Sequence, residues 1–195
     1  MKFTVKGLYY HALSVFSRGK LALARDARIK PSARINFRRG RVSIGRSVTL
    51  QSGSLVDAQR GYVTLGSNVS INHYSVVLGL GGVAIGNYVR IAAHCMIVSF
   101  DHNFTARDVP ITKQGVTKKP VVIEDDVWIG AGAKILGGTV ISRGCVIGAN
   151  AVVKGKTEPY GVYVGNPARL LKYRGDGGES MGLKHGAHVS GEDNT

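Results

Sequence analysis

The sequence predicts an all-β solenoid built from six-residue repeats, and three observations carry that reading. The first is a column of large aliphatic residues at every sixth position: Ile123, Ile129, Ile135, Ile141, Ile147 and Val153 follow one another without a break. Upstream the same column reads Ile29 and Ile35, then Ile44, Leu50 and Val56, then Leu65, Ile71 and Val77, then Ile85, Ile91 and Ile97. The second is a column of smaller side chains two places earlier, which ends in Val121, Val127, Ala133, Thr139, Cys145 and Ala151. The third is a glycine count of 27 in 195 residues, with Gly45, Gly66, Gly86, Gly130 and Gly148 each directly behind a large-column residue. A period of six does not match the 3.6 of a helix, and β-branched columns suit strands. Each hexapeptide then forms one side of a triangular prism and three form a rung. Rungs must stack, because one alone cannot bury its inner face. Glycine serves the corners, through positive φ or close backbone approach.

Composition narrows the class. At ~100–200 residues per domain, 195 residues make one domain. An apolar share of 44% against 19% charged excludes a disordered polar chain, and the absence of a Gly-X-Y period excludes collagen. Two cysteines cannot build a disulfide framework or a Cys-rich zinc site, and a reducing compartment fits them best. Cys95 and Cys145 both fall in the small inward column, which makes them core fillers rather than nucleophiles; Ser54 and Ser75 fall there too.

In chain order, residues 1–26 read as a basic helical segment with Val5, Tyr9, Ala12, Leu13 and Phe16 on one face. This stretch imitates a signal peptide, but Arg18 and Lys20 interrupt the apolar core that cleavage requires. Residues 1–46 carry twelve Lys/Arg and one acid, a net +11 out of the chain's +14. The charge belongs to one end, and it asks for an anionic partner. Nucleic acid is not that partner, since no recognition motif accompanies the charge. Residues 27–174 are the solenoid. Between Ile97 and Ile123 the column vanishes, and an extruded loop over 98–122 in so regular a setting is functional. A short C-terminal helix holding Arg169 and Lys172 closes the solenoid. Residues 175–195 hold six glycines without periodicity and read as a disordered tail.

The stretch from Val121 to Val153, followed by Val164-Gly165-Asn166-Pro167-Ala168-Arg169, resembles the hexapeptide-repeat acyltransferases, and the resemblance covers about residues 27–174. It implies a left-handed parallel β-helix, a homotrimer, and acyl-CoA held in the grooves between neighbouring prisms. Within the extruded loop, Ser99-Phe100-Asp101-His102-Asn103-Phe104 and Asp108-Val109-Pro110-Ile111 are similar to the Asp-His-x-Phe loop of the sugar and polysaccharide O-acetyltransferase branch. That likeness makes His102 the catalytic base. Asn72, thirty residues earlier, matches the family's asparagine and becomes a polar partner for the acceptor or the tetrahedral intermediate. By the same match Trp128 walls the donor pocket at its reacting end, Ala131 and Ala149 let pantetheine pass close to the coils, and Lys154, Arg169 and Lys172 lie near the nucleotide phosphates. His73 and Asp101 are further acceptor-side candidates, the latter by orienting the imidazole. His94 should face outward, and no metal is expected.

The implied chemistry is direct transfer from acetyl-CoA to a sugar hydroxyl, which needs a base for the proton and donors for the oxyanion. Maltose and galactoside acetyltransferases carry acidic residues shortly after the asparagine and an acidic N-terminal segment. Here Gly79-Leu80-Gly81-Gly82 and an Arg/Lys-rich N-terminus stand in those places. The chain looks more like enzymes that modify surface-polysaccharide precursors (O-antigen, capsule or exopolysaccharide), whose acceptors are lipid-pyrophosphate-linked or nucleotide-linked. Such a protein would be cytoplasmic, and peripheral at the inner membrane face. The basic N-terminus then serves either as a contact with an anionic leaflet or as a cap on the prism end. N-acetylation of an amino-sugar nucleotide is the runner-up. A γ-type carbonic anhydrase needs two zinc-binding histidines five apart, whereas His94 and His102 are eight apart. A non-catalytic scaffold is the remaining alternative.

Overall fold

Burial follows the two columns. Ile29, Leu50, Ile71, Ile91, Ile129 and Ile147 are wholly buried, as are the small-column Ala133, Thr139, Cys145 and Ala151. In the computed structural model, which describes residues 5–175, these columns line the axis of a left-handed parallel β-helix. Its first face stacks Leu21–Leu23, Arg41–Ile44, Tyr62–Leu65, Val83–Ile85, Val121–Ile123 and Val140–Ile141. The second runs from Arg28–Ile29 through Thr49–Leu50, Ser70–Ile71, Arg90–Ile91, Trp128–Ile129 and Val146–Ile147 to Gly161–Val164 and Arg169–Tyr173. The third runs from Arg34–Asn36 through Leu55–Asp57, Val76–Leu78, Met96–Val98 and Lys134–Ile135 to Val152–Val153. The first coil begins at Leu21, inside the segment assigned to the helix, because Leu21 already pairs with Val42.

Coil length is not constant. Val42 pairs with Val63 and Val63 with Val83, twenty-one and twenty residues on, whereas Val122 pairs with Val140 after only eighteen. Three bare hexapeptides per rung therefore hold only in the last third. Val83 pairs with Val121, so the insertion leaves the stack and rejoins it in register.

The column glycines serve close approach and not positive φ. A Cβ on Gly45 would stand 2.6 Å from the Gly66 carbonyl oxygen, and one on Gly66 would stand 2.6 Å from that of Gly86. The left-handed corner conformation falls instead to residues such as Asn68, Tyr88 and Asp126, at φ 60, 59 and 57°. Their strain is held by the stack: each donates its N–H to a carbonyl one coil earlier.

Both ends of the solenoid are covered. Helix α1 (Val5–Phe16) lies beside Arg34–Asn36, the lowest strand of the third face. The Tyr10 hydroxyl accepts the Ile35 N–H at 2.9 Å and donates to the Ile35 carbonyl, so the edge strand's bare backbone groups find a partner. This contact corrects the predicted helix face. Gly7 and Tyr10 turn inward with Leu13 partly buried, while Val5 and Phe16 are 87% and 81% exposed. The predicted C-terminal helix is also corrected, since Arg169–Tyr173 is a strand antiparallel to Gly161–Val164. A helix there would leave the last edge of the second face unpaired. The predicted disordered tail lies, apart from Gly175, outside the described residues.

Truncating Ile123, which is 1% exposed, to alanine should cost about 2–5 kcal/mol and lower the thermal midpoint clearly. Val122→Ala, at an outward position 37% exposed, should stay within about 0.5 kcal/mol, and a melting series checks both.

Candidate active site

The insertion is an arm with its own order. Phe100–His102 pairs antiparallel with Val116–Lys118, opposing His102 to Val116 and Asp101 to Thr117. Ser99 closes the root: its carbonyl accepts the Lys119 N–H at 2.8 Å, and its buried hydroxyl bridges the Leu78 carbonyl and the Gly81 N–H. Across the tip, the Gln114 side chain donates to the Ala106 and Val109 carbonyls at 2.8 and 2.7 Å and accepts the Ala106 N–H. Asn103 adds a bond from its amide to the Gln114 carbonyl, and its oxygen accepts from Thr117 at 2.6 Å. His102 is thus held on a braced hairpin, exposed, with the Phe100 ring edge-on at 6.1 Å.

Asp101 does not engage that imidazole. Its carboxylate takes the Lys119 ammonium at 2.6 Å, and alternation along a strand sends neighbouring side chains to opposite sides. Lys119 was not singled out by the sequence, because nothing in spacing pairs residues eighteen apart across an unrecognised hairpin.

Asn72 lies elsewhere. It follows Ser70–Ile71, at the edge between the second and third faces, and its side-chain Nδ2 donates to the Ile91 carbonyl at 2.7 Å. His102 leaves from the edge between the third and first faces. One face separates them, on the order of 15 Å at about 3.3 Å per residue. A single chain does not bring the two together.

The other candidates divide in the same way. His73, Ala131 and Ala149 are exposed along the Asn72 edge, where Tyr74 and His94 also stack at 5.3 Å. Trp128, 56% exposed, stands on the second face in the outward row that continues through Val146 and Val162 to Lys172. Arg169 opens the same terminal strand. Lys154 follows Val152–Val153 and so belongs to the edge of the His102 arm. The donor-side candidates and Asn72 therefore share one face and its edge, with Lys154 as the exception. His102, Asp101 and Lys154 hold the other edge.

The cysteines are core. Burial pushes the Cys95 thiol up from its ordinary value, and its sulfur lies 3.1 Å from the Gly130 carbonyl oxygen. Cys145 is likewise buried, against Thr157.

Residues 120–155 match the family model described as bacterial transferase hexapeptide (six repeats). The chain is 45% identical over 92 residues to a probable acetyltransferase of Mycobacterium tuberculosis, across 47% of this chain and 31% of that protein. It is 31% identical over 108 residues to WbbJ of Escherichia coli, a candidate lipopolysaccharide biosynthesis O-acetyltransferase, across 52% of this chain and 55% of that one. Among solved structures, a variant of AntD, an N-acyltransferase from Bacillus cereus bound to dTDP and coenzyme A, superposes with a TM-score of 0.69. Its identity is 26%, over 83% of this chain and 88% of that one.

Residues 120–155 carry the hexapeptide repeat of bacterial transferases, and the chain is similar to acyltransferases built on that repeat.

It spans about a third to a half of the length of these two curated relatives. Among the described residues no helix is long and apolar enough to cross a membrane. The hexapeptide match begins at residue 120, directly after the arm, and takes in neither the arm nor the N-terminal end.

Gln114→Ala should release the arm tip without unfolding the prism. Amide exchange at Ala106 should accelerate on the order of tenfold, corresponding to about 1 kcal/mol per lost hydrogen bond, with the thermal midpoint little changed.

Proposed function

We propose that this protein transfers an acetyl group from acetyl-CoA to a saccharide hydroxyl, with His102 as general base, in a site completed by a second copy of the chain. The observation that carries this reading is the separation of His102 and Asn72 by one prism face, with the donor-side candidates gathered on the Asn72 side. In a homotrimer the arm of one protomer reaches the second face of its neighbour, and each of three grooves receives both sets. Relatives described as O-acetyltransferases, and the coenzyme A held by AntD, support an acyl-CoA donor.

The steps use this chain's own groups. A His102 ring nitrogen takes the acceptor hydroxyl's proton as the oxygen attacks the thioester carbonyl. The tetrahedral intermediate's oxyanion needs hydrogen-bond donors, and the second N–H of the Asn72 amide is one. Collapse breaks the carbon–sulfur bond, and the CoA thiolate recovers the proton from the imidazolium. Trp128 closes the reacting end against water, Ala131 and Ala149 admit the pantetheine arm beside the coils, and Arg169, Lys172 and Lys154 neutralise CoA phosphates. His73 lines the acceptor side.

The acceptor in this reading is a surface-polysaccharide precursor, met at the inner face of a membrane. N-acylation of an amino-sugar nucleotide is the second reading, favoured by the 32% identity over 106 residues to a dTDP-4-amino-4,6-dideoxy-D-glucose acyltransferase of Escherichia coli.

His102→Ala should lower kcat for acetyl-CoA-dependent transfer about 10²–10⁴-fold while light scattering still reports a trimer. Undiminished transfer would exclude the base assignment. Thiol release with hydroxyl but not amine acceptors selects the first reading over the second.

A further inference from the structure

Two adjoining clefts near the N-terminal end have no part in the donor groove. The larger, about 530 Å³, runs along the edge that carries the arm and is lined by Arg38, Arg39, Arg60, Asp57, Gln59 and Leu80. Arg39 and Arg60 are one twenty-one-residue coil apart, so stacking brings together two parts of the sequence. Among the described residues none of the three guanidinium groups forms an ion pair. The single carboxylate, Asp57, accepts the Gln59 N–H at 2.7 Å. Gln59 also lines the cleft, and its Oε1 is shut from water without a hydrogen-bond partner. Three arginines against one carboxylate leave the cleft with an excess of two positive charges.

The smaller cleft, about 370 Å³, shares Asn36 and Arg38 with the first and is otherwise walled largely by Tyr9, Leu13, Phe16 and Phe37. It runs beside helix α1, whose apolar residues Val5, Leu8, Val15 and Phe16 stay exposed. An arginine-lined basin continuous with an aromatic trough fits a molecule with an anionic head and a hydrocarbon chain.

We propose that these clefts bind the carrier of the acyl acceptor as a lipid-linked glycosyl diphosphate. Arg38, Arg39 and Arg60 hold the diphosphate, and the trough along Tyr9, Phe16 and Phe37 takes the first isoprenoid units. Direction along the edge supports this. The turns at 37–40, 58–61 and 79–82 rise in order to the arm rooted at Ser99. From Arg60 to the arm is two coil spacings, about 10 Å at ~4.8 Å each. A sugar attached to the diphosphate thus extends towards His102. This inference rests on the acyl-transfer reading, yet its test does not require turnover.

The test is calorimetric titration of the full-length protein with farnesyl diphosphate, inorganic pyrophosphate, farnesol and UDP. Farnesyl diphosphate should bind at least tenfold more tightly than pyrophosphate or UDP, and farnesol weakly. Arg38→Gln combined with Arg60→Gln should weaken farnesyl diphosphate and pyrophosphate at least tenfold and leave coenzyme A binding unchanged. Phe16→Ser should weaken farnesyl diphosphate alone. Equal binding of pyrophosphate and farnesyl diphosphate, preference for UDP, or indifference to the arginine pair would each overturn the proposal. Should His102→Ala retain transfer while these affinities behave as stated, only the base assignment fails.

Discussion

Everything in this molecule depends on coil stacking upon coil, backbone to backbone, around a column of aliphatic side chains. The constraint is severe because both directions of packing are used at once. Along the axis, parallel hydrogen bonds hold neighbouring coils at ~4.8 Å, and across it the interior takes one large and one small inward side chain per hexapeptide. Gly45 and Gly66 show how little clearance remains at a corner, since no Cβ fits between successive backbones. A residue's chemistry is therefore set by its place in the six-residue count: inward is core, and outward or corner is available for function.

The same constraint explains where the candidate catalytic groups are. A stack in which each coil must meet the next cannot carry a cleft within one chain without losing hydrogen bonds. Function is pushed outward, to faces, edges and insertions. The twenty extra residues between Val83 and Val121 leave at a corner and return to it, so the ladder is not interrupted. Ser99, Gln114 and Asn103 then give the arm the internal bonds that the coils give the prism. With Asn72 and the donor-side candidates on another edge, the proposed site needs two prisms side by side to bring them together.

The ends obey a different necessity, because a parallel stack exposes bare backbone at both. Tyr10 answers one end with a single hydroxyl that serves both backbone groups of Ile35, and the strand Arg169–Tyr173 answers the other. Covering the N-terminal end with a helix also creates the trough beside Phe16 and Phe37. Most of the chain's net charge falls within residues 1–46, which also supply Arg38 and Arg39 of the arginine basin.

The sequence by itself determined the solenoid, its inward columns, the core role of both cysteines and the limits of the insertion. A period of six is a local pattern that each repeat restates. His102 and Asn72 were also legible, as motif members. The spacing of the columns already gave coils of twenty-one, twenty and eighteen residues, but it took the tertiary structure to set His102 and Asn72 on separate edges of the prism, one face apart. It also decided the side of helix α1 that turns inward, since that depends on the unpaired backbone of Ile35 rather than on the helix's apolar stripe. The pairing of Arg39 with Arg60 and of Asp101 with Lys119 came from stacking and from a hairpin, contacts between residues distant in sequence. Local repetition writes the fold into the chain; the site arises from long-range register, which no single stretch contains.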